Sequence, residues 1–291
     1  EANTMKQWVR FPLLVIACLL TYESNCAEIV GGSEVPSHSR PYKAYLSTMC
    51  GGALITPNWV LTAAHCNIKK NIEVTLGAHS LIEHESTKQI FQVRTVVVHP
   101  DFNSSTLLND LMLLELGRPA DLNQYVNLLD LPNSGEDVRP GTKCTVAGWG
   151  KISFYGQTSD TLQEVRVTVI DRELCSNFKY YKGRITKNML CAGDENGGKD
   201  SCRSLFCLMG DSGGPLICNN VYRGIVSFGY KCGLPKKPGV YTMLTTEYLE
   251  WIQSIISTTW RPRPSSCHPP IGYSTAETVL GQPIQWKDSS T

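Results

Sequence analysis

The chain has 291 residues, 42% of them hydrophobic and 18% charged, with a formal net charge of +1. This balance excludes a disordered polyelectrolyte, and without a concentrated basic stripe no nucleic-acid partner is expected. The length suits one large all-β domain or two smaller ones around a substantial core.

In chain order, residues 1–26 read as a secretory signal, with Met5 as initiator and residues 1–4 upstream of it. Lys6 and Arg10 flank the start of an apolar run at residues 11–20, which suits a signal and is too short to span a bilayer. No later run is long and apolar enough for a membrane helix, so no membrane partner is expected. Of twelve cysteines, Cys18 and Cys26 lie within this signal; the ten behind it imply an oxidising compartment and a disulfide framework.

His79, Glu83, His84 and Glu85 crowd one short stretch, which reads as a solvated loop; neither a metal nor a cofactor is expected. Asn103-Ser104-Ser105 is an N-glycosylation sequon, placing Asn103 in a surface loop. Leu111-Met112-Leu113-Leu114 is a continuous apolar run that predicts a core strand, and residues 224–228 form another. Val165, Val167 and Val169 alternate with Arg166 and Thr168, the pattern of a half-buried strand. Only the end carries a helical stripe: Tyr248, Trp251, Ile252, Ile255 and Ile256. Thr245 or Thr246 would cap it, with Glu247 in its first turn. From Arg261 the chain is Pro-rich and aperiodic, so residues 261–291 read as a disordered tail.

Three separated segments carry chemistry. Leu61-Thr62-Ala63-Ala64-His65-Cys66 supplies an imidazole, and Asn109-Asp110 supplies a carboxylate at the mouth of an apolar strand. Gly210-Asp211-Ser212-Gly213-Gly214-Pro215 supplies a hydroxyl in a tight turn. A serine hydroxyl is a poor nucleophile until a base takes its proton, and imidazole titrates near enough to neutrality to do so. A buried carboxylate then fixes the ring's tautomer and stabilises the imidazolium.

With Ile29-Val30-Gly31-Gly32, Trp59-Val60-Leu61-Thr62-Ala63-Ala64-His65-Cys66, Cys191-Ala192-Gly193-Asp194 and Lys199-Asp200-Ser201-Cys202, residues 29–260 resemble the trypsin-like serine proteases of the granzyme A and granzyme K branch. The resemblance implies two six-stranded antiparallel β-barrels with a C-terminal helix and the catalytic cleft between the barrels. It assigns His65 as base, Asp110 as orienter and Ser212 as nucleophile, with the backbone N–H groups of Gly210 and Ser212 as the oxyanion hole.

It also implies activation by cleavage after Glu28: a dipeptidyl peptidase would remove the dipeptide of residues 27–28. The freed Ile29 ammonium would then pair with Asp211. Asp200 would select Arg or Lys from the base of the primary pocket, Gly229 and Gly239 would leave its walls open, and Ser227 would pair its backbone with an extended substrate. Four disulfides follow from the resemblance: Cys50 with Cys66, Cys144 with Cys218, Cys175 with Cys191, and Cys202 with Cys232. Protein substrates and serpin-type inhibitors are the implied partners, and secretion or storage in cytotoxic granules the implied location. His99-Pro100-Asp101-Phe102 lacks the cysteine through which granzyme A dimerises, so a monomer is expected.

One departure stands beside the nucleophile. The family places one residue between the cysteine and the first glycine of Asp-Ser-Cys-x-Gly-Asp-Ser-Gly; here residues 204–209 are additional. Leu205, Phe206, Leu208 and Met209 make this segment more apolar than a surface loop normally is. Two readings follow: an active protease, or a catalytically impaired protease-like protein that binds substrates or inhibitors without turnover.

Overall fold

The computed structural model describes residues 32–150, 158–193, 211–229 and 237–259. The expected signal, the dipeptide, Ile29, Asp200, Cys202, the additional residues 204–209, Gly210, Cys232 and the tail lie outside the described residues.

The first barrel is built from β2 (Lys43–Leu46), β3 (Cys50–Thr56), β4 (Trp59–Thr62), β5 (Glu73–Leu76), β6 (Gln89–Val98) and β7 (Met112–Leu116). They close antiparallel in the order β2-β3-β4-β7-β6-β5. β7 is buried at every position, as its unbroken apolar run requires, and its Leu113 and Leu114 join Leu54, Val60, Leu61, Val74 and Leu76 in the core.

The second barrel is built from β8 (Lys143–Gly148), β9 (Gln163–Ile170), β10 (Met189–Gly193), β11 (Pro215–Cys218), β12 (Val221–Phe228) and β13 (Gly239–Met243). The order β9-β10-β13-β12-β11-β8 closes through β8–β9 pairing. Val165, Val167 and Val169 of β9 point inward while Arg166 is exposed, so the alternation in the sequence holds. A two-residue strand, β1 (Ser33–Glu34), adds to β9 through Ser33 opposite Glu164 and Glu34 opposite Gln163. Expectation and structure agree on two closed six-stranded barrels.

The long C-terminal helix spans Thr246–Thr259. Thr245, of the two candidate caps, accepts the Tyr248 N–H on its hydroxyl and the Leu249 N–H on its carbonyl. Tyr248 and Ile252 are buried against the first barrel's core, with Trp251, Ile255 and Ile256 packed beside them. This helix is α2, because the structure corrects the reading that only the end is helical: α1 (Arg172–Ser176) precedes it. Five residues are too few to show a period. Asp171 caps α1 by accepting the Leu174 N–H, and the Cys175–Cys191 disulfide ties it to β10.

Three of the four expected disulfides are formed: Cys50–Cys66, Cys144–Cys218 and Cys175–Cys191. Asn103 is exposed, in a turn where its own side-chain oxygen accepts the Ser105 and Thr106 N–H groups. The His79–Glu85 loop is solvated only in part: Glu83 and His84 are exposed, but its first residue is not. His79 is buried, its Nε2 lies 2.9 Å from Glu34 Oε1, and its backbone N–H donates to Glu85 Oε2. Among the described residues no helix is long and apolar enough to cross a membrane.

Candidate active site

His65 sits on a single 3-10 turn, Ala64–Cys66, directly after β4. The Cys50–Cys66 bridge fastens that turn to β3. Asp110 precedes β7 from the same barrel and is fully buried. Its Oδ1 accepts the backbone N–H of His65 at 2.9 Å, and its Oδ2 lies 2.7 Å from His65 Nδ1. With the carboxylate there, the ring's hydrogen belongs on Nδ1 and Nε2 is left as the acceptor. Asn109 is held in turn by the Tyr248 hydroxyl of α2, which donates to Asn109 Oδ1 at 2.6 Å.

The second barrel completes the carboxylate's surroundings. Ser227 donates from Oγ to Asp110 Oδ2 at 2.5 Å, and Thr242 donates from Oγ1 to the Asp110 carbonyl at 3.1 Å. Sequence reasoning gave Ser227 a substrate-facing backbone and missed its side chain. The available signal was a lone hydroxyl between Val226 and Phe228 in an otherwise apolar run.

Ser212 lies in a turn latched to both barrels. Its carbonyl accepts the Gly51 N–H of β3 at 2.7 Å, and the next residue's N–H, from Gly213, donates to the Val226 carbonyl of β12 at 2.8 Å. Gly213 has φ +80°, and a Cβ there would lie 2.2 Å from Thr62 Oγ1 and 2.6 Å from the Gly51 carbonyl. Only glycine satisfies both the torsion and the space. His65 Nε2, in contrast, is buried with no hydrogen-bond partner. The Ser212–His65 hydrogen bond is therefore unformed in this structure, as catalytic hydrogen bonds often are without substrate.

Beneath the turn, Asp211 is buried and accepts the Gly150 N–H on Oδ1 at 3.0 Å. Burial pushes its carboxyl up to about 6, against the opposing pull of the Lys43 charge and the Gly150 N–H. Burial likewise lowers Lys43 to about 8, opposed by the Asp211 charge. Lys43 was not anticipated from the sequence.

Gly229 and Gly239 are brought together: a Cβ on Gly229 would meet the Gly239 Cα at 3.8 Å. Beside them the Tyr181 hydroxyl donates to the Pro238 carbonyl at 2.5 Å, and its ring stands edge-on to Phe228 at 5.8 Å. His65 also stands near Cys50 and Cys66, but those sulfurs are joined in a disulfide and offer no thiolate to a metal.

A carboxylate-oriented imidazole and a serine in a constrained turn, with the Ser212 carbonyl 3.8 Å from the Sγ of Cys66 next to His65, make a constellation for acyl transfer. The sequence profile of the trypsin family matches residues 29–252. The chain belongs to the trypsin family.

It is 44% identical to granzyme A of Bos taurus over 254 residues, covering 85% of this chain and 96% of that protein. Cathepsin G of Homo sapiens matches at 44% over 250 residues, covering 83% and 92% respectively. Trypsin-3 of Salmo salar matches at 44% over 236 residues, covering 79% and 93%. The protein is a trypsin-like serine protease related to the granzymes, a hydrolase whose substrates are proteins.

Proposed function

We propose that this trypsin-family protease is an endopeptidase cleaving after Arg or Lys, made as a zymogen and activated by removal of residues 27–28. The observation that carries the catalytic part is the buried Asp110 carboxylate shared by His65 and Ser227, facing the latched Ser212 turn. In this reading Ser212 attacks the scissile carbonyl while its proton passes to His65 Nε2. Asp110 stabilises the imidazolium, and His65 returns the proton to the leaving amine. The backbone N–H groups of Gly210 and Ser212 hold the developing oxyanion, and losing one such donor costs about 100- to 1000-fold in turnover.

The basic-residue preference rests on Asp200, whose carboxylate would meet a guanidinium or ammonium in a desolvated slot. Gly229 and Gly239, close to each other, would form walls without side chains around that slot. A granule or secreted location, activation by a dipeptidyl peptidase, inhibition by serpins, a monomeric state and glycosylation at Asn103 complete the proposal. Their support is the relationship to granzyme A and the exposed Asn103 turn.

A second reading is favoured by one feature of the sequence, the additional residues 204–209 beside the oxyanion loop. In it the protein retains the fold and binds substrates or inhibitors without turnover. Hydrolysis of Lys, Arg and Phe thioesters by the chain starting at Ile29, with and without residues 204–209, separates the two. Turnover of the basic esters by the full chain supports the protease. Turnover only after deletion supports the silent form, and equal turnover of the Phe ester removes the Arg/Lys preference.

A further inference from the structure

Among the described residues Lys43 is the only buried lysine, 2% exposed, and its Nζ has no hydrogen-bond partner. It stands on β2 of the first barrel, yet its ammonium reaches the nucleophile turn of the second. A Cβ placed on Gly214 would lie 2.5 Å from Nζ, so the ammonium packs directly against the backbone two residues after Ser212. Its other close neighbour is Trp149, whose ring centroid is 6.0 Å away.

Asp211, in the same turn, is 3% exposed, and its carboxylate lies against Gly150, the residue after Trp149. The charges acting on Asp211 and Lys43 are each other's, alongside the Gly150 N–H. A buried carboxylate with one backbone hydrogen bond needs a compensating charge, and stranding it by removing that charge is strongly destabilising. Lys43 has no role in the acyl-transfer chemistry and no hydrogen bond that explains its burial. The Asp211 charge in the turn that Nζ packs against favours its ammonium, acting at a distance beyond direct contact.

We propose that Lys43 is a positioning residue for the nucleophile turn, a resident counter-charge that holds Asp211 in place before the Ile29 amine is free. The unprocessed chain then keeps part of its active-site geometry, and processing reinforces an arrangement that already exists. This rests on the reading above that cleavage after Glu28 activates the enzyme.

The test uses the unprocessed chain beginning at Ala27 and the processed chain beginning at Ile29, each as wild type, Lys43→Met and Lys43→Gln. The first readout is the titration of Asp211, followed by carbon NMR of labelled aspartate and assigned with Asp211→Asn. Loss of the resident charge should raise the Asp211 midpoint of the unprocessed chain by at least about one pH unit. Lys43→Gln, which keeps a polar group in the slot, should show the same rise if Lys43→Met folds poorly. An unmoved midpoint overturns the proposal.

The second readout is labelling of Ser212 by an active-site phosphonate. The ratio of unprocessed to processed labelling rates should fall at least tenfold in Lys43→Met, and an unchanged ratio overturns the positioning role. A wild type that labels in neither form counts against the protease reading alone, and the titration then decides the proposal.

Discussion

Ser227 and Asp110 meet in the buried junction of the two barrels: a serine from the second donates a 2.5 Å hydrogen bond to the carboxylate of the first. The oxygen it reaches, Oδ2, is the one that faces His65 Nδ1 at 2.7 Å. The orientation of the imidazole therefore depends on a residue far away in sequence. Ser227→Ala keeps the strand backbone but removes this donor. A hydrogen bond to a charged group is worth about 1.5–3 kcal/mol, so kcat should fall roughly 10- to 100-fold. A rise in KM at constant kcat would instead mean that Ser227 serves substrate binding.

Asp110→Asn tests the tautomer. With its oxygen kept on the His65 backbone N–H, the amide would present its NH2 in place of Oδ2 to His65 Nδ1, and the ring's hydrogen would move to Nε2, which then cannot act as a base. Turnover should fall by about 10⁴-fold, with the fold intact by circular dichroism. A loss of less than tenfold would mean that the His65–Asp110 contact is structural.

Gly213→Ala tests the turn. The left-handed torsion costs a non-glycine residue roughly 1–2 kcal/mol, and the overlap with Thr62 and Gly51 adds about 1–3 kcal/mol. For a domain of this size that lowers Tm by about 10 °C. A Tm within about 2 °C of wild type would show that the turn relaxes freely.

The Lys43–Asp211 pair predicts a stability profile. Asp211 titrates near 6 when folded and at its ordinary 3.8 when unfolded, so between these values the folded state holds the extra proton. Stability from this group falls as pH rises through that window. Lys43 titrates near 8 when folded against 10.5 unfolded, so above 8 the unfolded state holds the extra proton and stability rises with pH. Relative to the Lys43→Met/Asp211→Asn double variant, the wild-type Tm should decline from about pH 4 to 6 and recover above about pH 8. A constant difference between the two from pH 4 to 10 would mean that the two groups titrate normally.

What was legible in the sequence was local. The 165/167/169 alternation, the unbroken run ending at Leu114 and the 248/252 stripe each express burial through their own period, and each is buried as it predicts. His65, Asp110 and Ser212 stood out because each sits in a distinctive short segment, and the structure joins the first two by a hydrogen bond. Ser227 on Asp110 and Lys43 under Gly214 did not, because both contacts join one barrel to the other and no neighbouring residue signals them. α1 was missed for a different reason: five residues held by a cap and a disulfide need no amphipathic stripe.

β1 has a consequence for timing. Ser33 is fastened to Glu164, and only four Cα–Cα steps separate it from Ile29. Extended fully, they reach about 13–14 Å. An amine released at Ile29 would thus be leashed to a small volume around its anchor, at a high effective concentration. Under the proposed activation its capture would be intramolecular, independent of protein concentration, and a soluble amine would have to approach that effective concentration to compete.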